Sequence, residues 1–161
     1  VLKHVPVATQ RIGLVSVPAV GDLVLVQFIG GDINAPVITG RLYNDEDRPP
    51  PSDDAQAVLH LPLGAGDDDA VHAVLSSGDK RELTLRLGGG LSVALRDDDP
   101  VVELEVDGGK AKIAIERDGA VTVESQGAVK LKGGQLSIEG DTISVEASGE
   151  LTLKGATVNI N

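Results

Sequence analysis

The chain has 161 residues, a formal net charge of −11, one Phe, one Tyr, and no Cys, Met or Trp. The negative balance argues against a nucleic-acid or anionic-lipid surface, and the missing cysteines remove disulfides and thiolate metal sites. No apolar run approaches the ~20 residues of a membrane helix, and no apolar signal segment follows Val1-Leu2-Lys3-His4.

With packing left to Val, Leu, Ile and Ala, narrow interiors with thin layers are expected. Glycine or proline interrupts nearly every window long enough for a helix, and β-branched residues dominate, so strands are expected throughout. Residues 1–44 read as one block. Leu23-Val24-Leu25-Val26 is apolar on both faces, which predicts a barrel strand covered on both sides. "IGGDINAP" reads as a hairpin loop: Gly30-Gly31 and Asp32 supply backbone freedom, and Pro36 stops pairing at its end. Val37 to Leu42 is the return strand.

Residues 45–57, "DEDRPPPSDDAQA", read as a solvated polyproline linker. Residues 58–80 hold two short apolar pieces around "GAGDDD" and carry the least information. From Glu82 onward apolar and polar residues alternate. After Ala120 the alternation becomes a repeat of seven or eight residues: VTVESQGA, VKLKGGQ, LSIEGDT, ISVEASGE, LTLKGAT, VNIN. Each unit offers two apolar side chains on a strand too short to bury itself. An antiparallel meander, a single-chain β-solenoid or an intertwined trimer would each rescue it, and periodicity does not choose among them.

The stretch "VPAVGDLVLVQFIGGDINAPVITGRLYNDEDRPPP", Val17 to Pro51, resembles the OB-fold segment of VgrG proteins and of central spikes of contractile phage tails. Gly21, Asp22, Phe28, Gly30, Gly31, Asp32, Pro36, Gly40, Tyr43 and Asn44 carry the likeness, with an acidic, proline-rich exit. The repeat is similar to the triple-stranded β-helix needle of that family. The resemblance implies an all-β chain. Its parts would be the C-terminal part of an OB-fold barrel (1–48), a Pro/Asp-rich linker and transition (49–81), and an intertwined trimeric β-helix needle (82–161). Phe28 and Tyr43 would then belong to the barrel, and the needle would have no room for aromatics.

On that reading Val121, Val123, Val129, Leu131, Leu136, Ile138, Ile143, Val145, Leu151, Leu153, Val158 and Ile160 face a shared trimer axis. Thr157, Val158, Asn159, Ile160 and Asn161 form the docking face for a PAAR-type tip protein. The resemblance further implies tube and hub baseplate partners and transient contact with a target membrane. The particle would assemble in the bacterial cytoplasm and then be delivered outward. The family's hub-binding region does not precede the barrel segment here, as expected for a piece of a longer protein or a short member. An alternative from another class is a monomeric β-solenoid binding or adhesin module.

Enzymatic, metal and cofactor readings are weaker. His72 lies near Ser76 and Ser77, but no nucleophile motif surrounds them. Asp67-Asp68-Asp69 and Asp97-Asp98-Asp99 lack the spacing of a calcium loop and read as solvated turns. The Gly doublets are not followed by the Lys-Ser/Thr of a phosphate loop. No catalytic residue, metal or cofactor is therefore expected, and no nucleic-acid partner.

Overall fold

The computed structural model describes residues 3–159. It is all-β apart from one 3-10 turn, and it divides into two units, Val1–Gly127 and Ala128–Asn161.

In the first unit, β1 (Val24–Phe28) and β2 (Pro36–Arg41) form an antiparallel pair with an irregularity between Leu25 and Val26. The loop between them turns as expected. Gly30 and Gly31 adopt φ of +61° and +80°, the left-handed region that glycine enters without a Cβ clash. Asp32 Oδ1 accepts the Asn34 backbone N–H at 2.9 Å, a local turn of the kind Asp favours. The other motif polar residues are turn builders too. Asp22 accepts the Ala19 N–H at 2.9 Å and pairs with Arg41 at 3.5 Å. Asn44 Oδ1 accepts the N–H groups of Glu46 and Asp47, both at 2.7 Å, and turns the chain after β2.

A parallel bridge from Val7 to Ile38 adds a third segment beside β2. This arrangement is consistent with part of an OB-fold; a closed barrel is not formed among the described residues of this segment. Two expectations change as a result. Leu23 and Leu25 are exposed while Val24 and Val26 are half-buried, so β1 is not covered on both faces. Phe28 and Tyr43 remain 42% and 58% exposed instead of filling a core. In both cases no second layer from the described residues of the first unit lies over them.

Seven strands follow in one antiparallel meander, in chain order: β3 (Gln56–Leu61), β4 (Val71–Ser76), β5 (Glu82–Leu87), β6 (Leu91–Arg96), β7 (Val102–Val106), β8 (Ala111–Ile115) and β9 (Val121–Ser125). The first two lie within residues 49–81, the stretch read as linker and transition. Their pieces "QAVLHL" and "VHAVLS" are short but rich enough in β-formers to pair once β5 offers an edge. The end of the loop between them prolongs the β4–β5 ladder by one step. The Gly88 N–H donates to Ala70 O at 3.1 Å, and Ala70 is buried.

The second unit contains no strand among its described residues. Its backbone takes part in no backbone–backbone hydrogen bond there. Ile160 and Asn161, expected at the trimer core and the tip-docking face, lie outside the described residues.

Candidate functional site

Register makes the meander two-faced. On one face Leu75, Leu83, Leu95, Val102 and Ile115 stand in consecutive cross-strand register from β4 to β8, and Val121 on β9 follows. A parallel row runs Ala73, Leu85, Val93, Leu104, Ile113, Val123. Every position of both rows is apolar, because each strand keeps the period of two and each turn preserves the phase.

Among the described residues of the first unit nothing covers this face. Leu59, Leu61, Leu75, Leu83, Leu95, Ile113, Val121 and Val123 are all exposed, and among the described residues only Ala70, Ala94 and Ala114 are buried hydrophobics. The chain exposes 13493 Å². A compact monomer of its 16.6 kDa would expose about 7,600 Å² by the usual scaling. Contiguous exposed apolar rows of this kind are a mark of interaction surfaces.

The opposite face is polar and organised. Glu82 and Arg96 are directly paired in register and linked at 3.3 Å. Arg96 also reaches Glu103 at 3.4 Å, and Lys112 closes on Glu103 at 2.7 Å. The Lys112 hydrogen bond holds the Glu103 carboxyl below its ordinary value, with the charges of Lys112 and Arg96 adding to it against desolvation. Reciprocally, Glu103 raises Lys112. Ala94 and Ala114 are the register partners of Glu103 on either side, each 5% exposed. Small residues there leave room for long charged stems to lie across the sheet.

In the second unit the expected core residues present a matching deficit. Val129, Leu131, Leu136, Ile138, Ile143, Val145, Leu151, Leu153 and Val158 are exposed, and their backbone has no strand partner. Val121 and Val123, expected in the same set, sit on β9 at the end of the meander. Thr157 and Asn159, expected at the tip-docking face beside Val158, are exposed as well.

His72, Ser76, Ser77 and the Asp97–Asp99 run are placed as follows. Ser76 lies four residues beyond His72 on β4, about 13 Å away at a strand's rise. Ser77 Oγ donates instead to Ala55 O at 3.0 Å. Each residue of the Asp97–Asp99 turn is engaged: Asp97 with Arg81 at 2.8 Å, Asp98 with Lys80, and Asp99 with the Arg117 N–H at 2.6 Å. Sequence reasoning missed that His60 and His72 meet. Only cross-strand register shows that they face each other.

Residues 1–43 match the Type VI secretion system/phage-baseplate injector OB domain family. Over 137 residues, 83% of this chain, the sequence is 28% identical to the actin cross-linking toxin VgrG1 of Vibrio cholerae serotype O1. The chain spans 11% of that relative's length.

Proposed function

We propose, from the premise that the chain is VgrG-like with an injector OB-domain segment at residues 1–43, that it is part of the spike of a contractile injection machine. In this reading it works as a homotrimer. The apolar sheet face and the repeat of residues 121–161 are buried between three copies, and a PAAR-type tip seats on the last residues. Its task is mechanical. Sheath contraction supplies the force, and a prism with its backbone groups paired between chains resists unfolding while a bilayer is crossed.

The observation that carries this reading is the double deficit in one chain. One sheet face is apolar across seven strands without a cover, and a repeat of over 30 residues has no backbone partner. Burial repays exposure at about 25 cal/mol per Å² of apolar surface. Identical copies can supply both the apolar partner and the missing strands, because the same deficit recurs in each. The injector match over residues 1–43 supports the assignment to a contractile machine, and nothing enzymatic is needed for such a part.

The test is the mass in solution of the intact chain. Light scattering should give three chains per particle, with far-UV circular dichroism showing more β-structure than the meander alone supplies. A folded, non-aggregating monomer would overturn the reading and favour a monomeric binding module.

A further inference from the structure

We propose that His60, His72 and Asp67 form a binding site for a divalent transition-metal ion of the zinc type, built on the β3–β4 hairpin. His60 and His72 are directly opposed in the antiparallel register. Their Nδ1 atoms lie 3.0 Å apart, and the rings meet edge to face. One ligand atom from each histidine and a carboxylate oxygen of Asp67 all fall within 4.8 Å of one another. Ligands of one tetrahedral zinc ion, each about 2.0–2.1 Å from the metal, sit roughly 3.3 Å apart. Shifts of an ångström or so in the side chains would bring the three ligand atoms to that separation.

The tautomer of His60 is set for the task. Its Nε2 lies 2.9 Å from Ala65 O. A carbonyl oxygen only accepts, so Nε2 carries the proton and the Nδ1 lone pair faces His72. A ligating histidine that donates its other N–H to a backbone carbonyl is the usual support of a metal site. Without metal, His72 Nδ1–H donates to His60 Nδ1. On metal binding the His72 proton shifts from Nδ1 to Nε2 by exchange with solvent, so that the imidazole stays neutral and both Nδ1 lone pairs turn to the ion.

The loop that brings Asp67 is itself fixed. The Ala65 N–H donates to Pro62 O at 3.1 Å, the Asp69 N–H to Gly66 O at 3.0 Å, and the Gly88 N–H ties Ala70 to the neighbouring hairpin. Both histidines are half-buried, while Asp67 is exposed and open to solvent for entry of the ion. Arg86 stands opposite His72 on β5, and the β3–β4 loop carries three carboxylates, Asp67, Asp68 and Asp69. Two imidazoles with one carboxylate select a borderline ion over calcium or magnesium, which prefer all-oxygen shells. The bound ion would fasten the 62–70 loop to the two strands it joins.

The test is calorimetric titration of zinc chloride into the untagged, chelator-stripped full chain at neutral pH. One ion per chain is expected, with a rise in melting temperature and a shift of the His60 and His72 ring nitrogen signals. His72→Gln should weaken binding by more than the ~10–100-fold that a supporting hydrogen bond alone carries. Asp67→Asn, a change in an exposed loop, should weaken it measurably without altering the fold, which keeps the test valid if the histidine variant folds poorly. His4→Gln and Asp98→Asn should leave it unchanged. No binding, or binding that Asp67→Asn and His72→Gln leave intact, would overturn the site and leave the two histidines as a hydrogen-bonded cross-strand pair. The titration reads metal, not assembly, so its outcome is independent of the spike reading.

Discussion

Leu83 on β5 and Leu95 on β6 are direct cross-strand partners inside a seven-stranded sheet, yet they remain 40% and 43% exposed. A leucine pair in the middle of a sheet is covered in a finished fold, at about 1.5–3 kcal/mol for each side chain. In the proposed trimer Leu95→Glu should therefore abolish the three-chain mass expected by light scattering, because each chain would bury a carboxylate without a partner. Arg86→Gln, on the other face, should leave the mass unchanged. Equal masses for the two variants would mean that this face is not the one covered.

A register test applies to the repeat. Ile138 occupies an apolar position and Glu139 the polar position next to it, so on a strand they point to opposite sides. Ile138→Asp should block assembly, since in the proposed trimer a charge repeated around one axis would lack both water and counter-charge. Glu139→Lys should be mild, within about 0.5 kcal/mol per chain. Trimer yield on a sizing column is the readout, and identical behaviour would show that the inward positions are assigned wrongly.

The ion-pair ladder gives a pH dependence with a definite sign. The Glu103 carboxyl is lowered from 4.5, with the Lys112 hydrogen bond as the largest cause. Its contribution to stability is therefore complete above the unfolded value and is lost as pH falls through the lower folded value. Urea midpoints measured from pH 7 down to pH 3 should decline, and Glu103→Gln should flatten that decline. A variant with an unchanged slope would show that other carboxylates carry the acid response.

Glycine positions differ in what they tolerate. A Cβ at Gly88 would collide with the carbonyl of Asp68, and the loop that brings Asp67 to the histidines would have to move. A Cβ at Gly64 would meet nothing, and that residue does not adopt a positive φ. Gly88→Ala should lower the melting temperature by several degrees, of the order of 1–3 kcal/mol, while Gly64→Ala should be neutral or slightly stabilising. Thermal scans decide it, with reversed effects as the contrary result.

At the C-terminal end, removal of Val158 to Asn161 tests the tip. In the proposed trimer, strand backbone at these residues would offer a site for edge pairing. Mixing the intact chain with a PAAR-type protein encoded beside it should give one tip per three chains, and the shortened chain should bind it more weakly. Undiminished binding would remove these residues from the docking face.

Much of the local structure was legible in the sequence, because local physics decides it. Gly30-Gly31 and Asp32 turn the first hairpin through backbone freedom and a side-chain acceptor. Leu83/Leu85/Leu87 and Leu91/Val93/Leu95 alternate with polar neighbours and form strands. The repeat after Ala120 advertises apolar pairs that a lone chain leaves bare. The pairing partners were a matter for tertiary structure. "QAVLHL" and "VHAVLS" are too short to declare themselves, and they become β3 and β4 only because each finds an edge to bond. The same non-local register places every leucine row on one face and sets His60 against His72. Two histidines separated by a loop carry no sequence signal for that meeting. Their distance depends on which residue of one strand lies opposite which residue of the other, and a slip of one position would turn them to opposite sides of the sheet.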